Sequence, residues 1–262
     1  MSRIAIIAGS GALPAAVAAA VTDPVVAAMD GFLPDGLVPD LVFRLERLAP
    51  LLRELAARDV ERVIFAGAVR RPTLDPALFD PQTAAMVPRI LAAMRGGDDG
   101  LLRAVVDVFE EAGFEVVGVS DLAPGLVPPE GVLAGALTER DRLDTDRAAQ
   151  IVGALGSVDV GQGTVVADGL CLAVETLPGT DAMLDWVAAT RQGKGGVFFK
   201  APKPEQDRRI DLPTLGVTTI RRAVAAGLSC VAWEAGGVIL LDRDALVAEA
   251  AEQGITLWAR AS

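Results

Sequence analysis

The sequence predicts an α/β protein with two differently built halves: a Rossmann-like open parallel sheet in the N-terminal half and a mixed α/β (α+β) arrangement in the C-terminal half. Three observations predict it. Short apolar runs alternate with amphipathic stretches from residue 4 to residue 119, the rhythm of βαβ units. The first apolar run ends in a glycine-rich turn, Gly9-Ser10-Gly11-Ala12-Leu13-Pro14. A proline- and glycine-rich stretch over 121–131 then breaks the rhythm, and a hairpin signal, Asp168-Gly169, lies beyond it.

Taken in order, Ile4–Ala8 reads as a buried parallel strand because it is apolar at every position and stops at glycine. Ala15–Val21 reads as a helix, with Pro14 tolerated in its first turn. Pro24–Met29 is a second strand. Arg47–Arg58 is a helix with Leu48, Leu51, Leu52 and Leu55 at helical spacing. Arg62–Gly67 is a third strand. Asp98–Ala112 is a helix whose acids sit at the positive end of its dipole, and Phe114–Val119 is a fourth strand. The linker sets a domain boundary near residue 130, giving domains 1–130 and 131–262. Beyond it, Asp144–Leu155 reads as a helix with Asp144 as its cap. Gly163–Ala167 and Leu170–Glu175 form the hairpin. Thr180–Arg191 is a helix and Gly196–Lys200 a strand. Thr214–Ala226 is a helix closed by Gly227. Strands Ser229–Trp233 and Val238–Leu241, a helix Arg243–Glu252 and a last strand Ile255–Ala259 complete the chain.

Composition narrows the chemistry. The 262 residues include no histidine and no tyrosine. A Ser-His-Asp or Cys-His nucleophile, histidine-ligated zinc and histidine-held haem are therefore excluded. Acid–base work at neutral pH falls to Asp, Glu, Lys, Cys or a metal-bound water. With 24 Lys+Arg against 35 Asp+Glu, the net charge is -11, and no basic footprint for nucleic acid is expected. Cys171 and Cys230 sit in apolar runs without a C-x-x-C pair and read as buried reduced thiols. No apolar run reaches the roughly 18–20 residues of a membrane span, and a cytoplasmic location is expected.

Several segments carry candidate chemistry. The turn at Gly9, Ser10, Gly11 and Ala12 brings backbone N–H groups toward a phosphate at a helix N-terminus, though Pro14 stands where a dinucleotide fingerprint needs its third small residue. Arg70-Arg71 leave the third strand at the edge where open α/β sheets bind ligands, either as a bidentate phosphate clamp or as solvated surface arginines. Asp98-Asp99 are helix-start acids, as caps or as metal ligands. Glu175 is unusual in closing an apolar strand. Thr180 and Asp181 then open a helix, either capping it or meeting an anion. Glu234 lies between two strands, as a turn residue or facing a cleft. The densest segment is 200–216. It holds Lys200, Lys203, Arg208, Arg209, Asp207 and Asp211, stiffened by Pro202, Pro204 and Pro213. Convergent cations with carboxylates on a stiff loop suit a metal-assisted phosphate site. The bland alternative is a solvated charged loop.

At these residues the chain resembles the LpxI-type UDP-2,3-diacylglucosamine pyrophosphatases of lipid A biosynthesis in Gram-negative bacteria. The stretches that carry the resemblance span nearly the whole length. They are Ala8-Gly9-x-Gly11-Ala12-Leu13-Pro14, Phe65-Ala66-Gly67-x-Val69-x-Arg71-Pro72, Gly97-Asp98-Asp99, Asp159-x-Gly161-Gln162-Gly163, Glu175-x-x-x-Gly179-Thr180-Asp181, Lys200-Ala201-Pro202-Lys203-Pro204, Arg209-x-Asp211-Leu212-Pro213-Thr214, Ala226-Gly227-Leu228 and Glu234-Ala235-Gly236. The resemblance implies Mg²⁺-dependent hydrolysis of the substrate's diphosphate to UMP and 2,3-diacylglucosamine 1-phosphate, with two domains closing around the substrate and a catalytic C-terminal domain. It puts the key aspartate at Asp211, as metal ligand, water-positioning group or both. Asp207 is ranked below it as a second metal ligand. Lys200 and Arg209 join Asp211 as catalytic residues. Gly9, Ser10, Gly11, Ala12, Arg71, Thr180 and Lys203 are the expected substrate contacts. The amphipathic lipid makes contact with the cytoplasmic face of the inner membrane an expectation, and a homodimer is expected without an identified interface. Two other readings remain at this point: a non-catalytic nucleotide-sugar or lipid-binding module, and a nicotinamide-dependent oxidoreductase, which Pro14 disfavours.

Overall fold

The computed structural model describes residues 3–69, 74–94, 98–204 and 206–261, with the backbone alone for 89–94, 98–99 and 101. The α/β class and the contrast between the halves are as expected. The chain forms two units: Met1–Pro124 with Arg209–Asp211, and Gly125–Arg208 with Leu212–Ser262.

The N-terminal unit runs β1 (Arg3–Ala8), α1 (Leu13–Ala20), β2 (Val25–Met29), β3 (Leu41–Phe43), α2 (Leu48–Ala57), β4 (Val60–Ala66), α3 (Pro81–Met94), α4 (Asp98–Glu111), β5 (Glu115–Val116) and α5 (Val119–Leu122). The strands form one parallel sheet in the order β3-β2-β1-β4-β5. Order reverses between β1 and β4, the switch point where open α/β sheets leave a crevice. Every residue of β2 is buried, as are Ile4–Ala8 of β1, because helices cover both faces. Leu48, Leu51, Leu52 and Leu55 of α2 are buried as their spacing requires. Phe109 of α4 meets Phe65 edge to face, with ring centroids 5.2 Å apart.

Three elements of this unit escape the sequence reading, β3, α3 and α5, and the expected strand over 114–119 is cut to two residues. The chain turns out of the sheet at Gly118, whose N–H donates to the Asp121 carboxylate at 2.9 Å and so starts α5. The signal for α3 was present. Asp80 accepts from the N–H groups of Gln82 and Thr83 at 3.0 and 3.1 Å, and Pro81 opens the helix.

The C-terminal unit runs β6 (Gly131–Ala134), α6 (Glu139–Gly156), β7 (Gly163–Ala167), β8 (Leu170–Val174), α7 (Gly179–Thr190), β9 (Val197–Lys200), β10 (Thr214–Leu215), α8 (Val217–Ala225), β11 (Cys230–Glu234), β12 (Ile239–Leu240), α9 (Arg243–Gln253) and β13 (Thr256–Arg260). Its main sheet has the order β6-β13-β11-β9-β7-β8. The centre, β13-β11-β9, is parallel, while β6, β7 and β8 pair antiparallel. Strand alternation sorts the side chains into two cores. Val165, Phe198, Val231 and Trp233 face α7, α8 and α9, whereas Val166, Val197, Phe199, Cys230 and Ala232 face α6.

The hairpin β7–β8 turns at Asp168-Gly169 with φ of 53° and 79°, the left-handed pair of a type I′ turn. Helix α6 starts five residues before the expected Asp144. Thr138 caps it in a reciprocal box with Asp141, with bonds of 3.1 and 2.9 Å. Asp144 is instead fully buried inside the helix. Its carboxylate accepts from the N–H groups of Asp168 and Gly169 at 3.1 and 2.8 Å, tying the hairpin turn to α6. The helix expected from Thr214 starts at Val217, because Thr214 and Leu215 pair with β12 as β10.

Candidate active site

In the N-terminal unit the loops after β1 and β4 clasp each other at the switch point. Gly9 N donates to Ala66 O at 2.8 Å, Ser10 N to Ala68 O at 2.9 Å, and Ala68 N back to Ser10 O at 2.9 Å. The Ser10 hydroxyl also donates to Ala68 O at 2.9 Å. The clasp explains two glycines. A Cβ on Gly9 would stand 2.6 Å from Ala68 O, and one on Gly67, at φ 97°, 2.7 Å from Gly9 C. Two of the N–H groups expected to face a phosphate are therefore spent within the fold. Gly11 and Ala12 follow them at the start of α1, with Gly11 half-buried and Ala12 exposed. Arg71 and Gly97 lie outside the described residues, and of Asp98 and Asp99 only the backbone is described, as the first turn of α4.

Residues 209–211 belong to this same unit. Ile210 packs on the core built from α2, α4 and the sheet. Arg209 pairs with Glu110 at 2.7 Å, both side chains over two-fifths exposed. Asp211 is half-buried.

In the C-terminal unit the sheet edge after β9 gathers the rest. Lys200 ends β9 and is buried, at 7% exposure. Its ammonium donates to the Thr180 hydroxyl at 2.7 Å, and that hydroxyl donates to Glu175 Oε1 at 2.8 Å. Lys200 Nζ and Glu175 Oε1 are 3.8 Å apart. Glu175 follows β8, and Thr180 lies in the first turn of α7, so three elements converge on one chain of contacts. Thr180 caps nothing: the helix starts without a side-chain cap.

The motif Asp159-x-Gly161-Gln162-Gly163 forms the cradle for this cluster. A Cβ on Gly161 would overlap the Glu175 carbonyl oxygen, and one on Gly163 would stand 2.7 Å from Glu175 Oε2. Both glycines are needed for the acid to sit where it does. Asp159 pairs with Lys203 at 2.5 Å. Gln206, buried, accepts from Lys203 N at 3.0 Å and from Gln162 Nε2 at 2.7 Å, so one amide pins the proline-rich loop to the motif. Glu234, at the end of β11, pairs with Arg208 at 2.7 Å, and bare Gly237 leaves space for Pro202, which a Cβ would approach to 2.9 Å. Asp207 is half-buried. The sequence reading gave no role to Glu175, Gln162 or Gln206. For Glu175 the signal existed: an acid closing an apolar strand.

Matches to known families cover both units. Residues 3–126 match the LpxI N-terminal domain and residues 129–258 the LpxI C-terminal domain. The chain belongs to the LpxI family. This bears out the resemblance read from the sequence. A relative from Caulobacter vibrioides, UDP-2,3-diacylglucosamine pyrophosphatase LpxI, is 37% identical over 97% of this chain and 96% of its own length. Among the described residues no helix is long and apolar enough to cross a membrane.

Proposed function

We propose that this LpxI-family chain is an enzyme of lipid A biosynthesis that hydrolyses the diphosphate of UDP-2,3-diacylglucosamine, yielding UMP and 2,3-diacylglucosamine 1-phosphate, with Mg²⁺. The observation that carries the reading is the full-length match to a relative of that name, at an identity that spans both units. The chemistry of the residues supports it. Water attacks one phosphorus of the diphosphate, the bond from that phosphorus to the bridging oxygen breaks, and the departing phosphate keeps that oxygen. Such a step needs charge neutralisation and an oriented water, and neither requires histidine.

Asp211 is assigned to hold the metal, orient the attacking water, or both. Asp207, four residues before it, is the second carboxylate. Both are half-buried hard-oxygen donors, and Mg²⁺ is commonly held by one or two carboxylates with substrate phosphates completing its shell, so the donor set fits. Bound Mg²⁺ would neutralise diphosphate charge as a Lewis acid. Lys200, Lys203 and Arg209 offset the remaining charge. Gly11, Ala12 and Arg71 complete the proposed contacts, because the Gly9 and Ser10 N–H groups are committed to the clasp with the loop after β4. The same reading keeps the chain in the cytoplasm, contacting the inner membrane through its lipid substrate.

Purified protein given Mg²⁺ and UDP-2,3-diacylglucosamine should release UMP. Asp211→Ala should abolish release while retaining substrate binding, and Asp207→Ala should be milder. No UMP from the wild-type protein would overturn the reading in favour of a binding module. Saturable micromolar NAD(P)H binding would favour an oxidoreductase.

A further inference from the structure

We infer that Glu175 is a positioning residue that holds and charges Lys200 through the Thr180 hydroxyl, and that Thr180 serves this relay rather than contacting the diphosphate. This deepens the proposed hydrolase reading and rests on it for its consequence in turnover.

The polarity of the contact chain is fixed by donor counting. A lysine ammonium can only donate, and a threonine hydroxyl has one hydrogen. Lys200 Nζ donates to Thr180 Oγ1 at 2.7 Å, and Thr180 passes its own hydrogen to Glu175 Oε1 at 2.8 Å. The hydroxyl therefore has no hydrogen left. A diphosphate bridging two organic groups offers acceptors only, so Thr180 has nothing to give it.

Glu175 is built in rather than incidental. Its side chain is 13% exposed and that of Lys200 is 9% exposed. Glu175 N donates to Gly163 O at 2.7 Å, and Gly161 and Gly163 lack the side chains that would displace its carbonyl and carboxylate. Its second oxygen, Oε2, is buried without a hydrogen-bond partner among the described residues. A carboxylate half satisfied in this way is costly to bury, and the nearby ammonium 3.8 Å from Oε1 is what compensates it. In turn the carboxylate favours the charged form of Lys200 against the burial that disfavours it. The hydroxyl between them separates the two charges and aims the ammonium.

Three variants and two readouts test this. Glu175→Gln keeps the shape and an acceptor for Thr180 but removes the charge. Its expected effect without substrate is deprotonation of Lys200 at lower pH, with the midpoint at a proton activity at least tenfold higher than in the wild type, read by ¹⁵N-lysine NMR titration of the whole protein. In turnover, kcat should fall at least tenfold with KM within about twofold, and the alkaline limb of the pH profile should move to lower pH. Thr180→Val should lower kcat similarly, and Thr180→Ser should recover most of that loss. A wild-type-like Lys200 titration in Glu175→Gln overturns the inference, and so does failure of Thr180→Ser to improve on Thr180→Val. If the wild-type protein releases no UMP, the hydrolase reading fails, while the NMR titration still decides whether Glu175 governs Lys200.

Discussion

Gly161→Ala and Gly153→Ala are the same chemical change with opposite expected signs. Gly161 has φ 107°, and a Cβ there would overlap the Glu175 carbonyl oxygen and stand 2.9 Å from its carbon. The Glu175 backbone cannot simply retreat, because its N–H is held by Gly163 O at 2.7 Å. An L-residue at such a φ costs about 1–3 kcal/mol, and overpacking a filled site costs another 1–3 or so. The expected loss is about 2–6 kcal/mol. Gly153 lies in the interior of α6, exposed, with nothing within 4 Å of its Cβ position. Alanine there should stabilise the helix by about 0.5–1 kcal/mol. Urea unfolding followed by tryptophan fluorescence reads the relevant unit cleanly. The three tryptophans, Trp186, Trp233 and Trp258, all lie in the C-terminal unit, and the chain has no tyrosine. With an m-value of about 2 kcal/mol/M, the Gly161→Ala midpoint should fall by roughly 1–3 M and the Gly153→Ala midpoint rise by roughly 0.3–0.5 M. A Gly161→Ala midpoint at the wild-type value, or shifts of the same sign in both variants, would refute the reasoning.

The N-terminal unit should be acid-labile. Burial alone would raise the Glu46 carboxyl, but the Asp75 N–H and the Arg44 guanidinium hold it below its ordinary value. Asp80 is likewise lowered, its burial outweighed by bonds from the Thr83 hydroxyl and the N–H groups of Thr83 and Gln82. A depressed folded-state pKa gives stability that is complete above the unfolded value, about 4, and is lost as pH falls through the folded value. Amide exchange of β1 should accelerate below about pH 4, and Glu46→Gln should flatten that dependence; an unchanged slope would contradict the assignment. The two thiols should separate sharply. Burial, then the nearby Asp141 charge, pushes the Cys230 thiol up, whereas Cys171, expected to be buried with it, is exposed because β8 is the edge strand of its sheet. A disulfide-exchange reagent at pH 8 should consume one thiol quickly and the second only on unfolding, and two fast equivalents would argue against a buried Cys230.

How legible the fold was depended on whether the deciding interaction was local. The parallel strands Ile4–Ala8 and Val25–Met29 declare themselves because burial on both faces demands unbroken apolar runs. The Asp168-Gly169 turn declares itself because its backbone needs left-handed residues. Asp144 misled for the opposite reason. An acid at a plausible helix start reads as a cap, but its partners, the N–H groups of Asp168 and Gly169, lie more than twenty residues away. Thr214 and Leu215 have a helical neighbourhood and still form β10, because Ile239 and Leu240 offer a strand to pair with. At the site, sequence alone gathered Lys200, Lys203, Asp207, Arg209 and Asp211 by their nearness along the chain. It gave Glu175 no role, since its link to Lys200 runs through Thr180 across three elements. The N-terminal glycines show the converse. Their pattern was legible, yet at least part of their cause is the clasp between Gly9 and Gly67.

The cations of a chain with net charge -11 do not wait unaccompanied for an anionic substrate. Lys200 is matched by Glu175 through Thr180, Lys203 by Asp159, Arg208 by Glu234 and Arg209 by Glu110. On the hydrolase reading proposed above, a diphosphate competes with these carboxylates, and exposure decides which partners yield. The Arg209–Glu110 pair is 42% and 43% exposed, and an ion pair so well solvated is worth at most about 1 kcal/mol, so exchanging Glu110 for a phosphate costs little. Lys200 and Glu175, at 9% and 13%, are a different case, because separating them would strand a charge out of water. On that reading the buried lysine of the C-terminal unit is suited to be set before the substrate arrives. With no histidine to adjust protonation near neutrality, presetting one ammonium by a fixed carboxylate is a way to have its charge in place at the working pH.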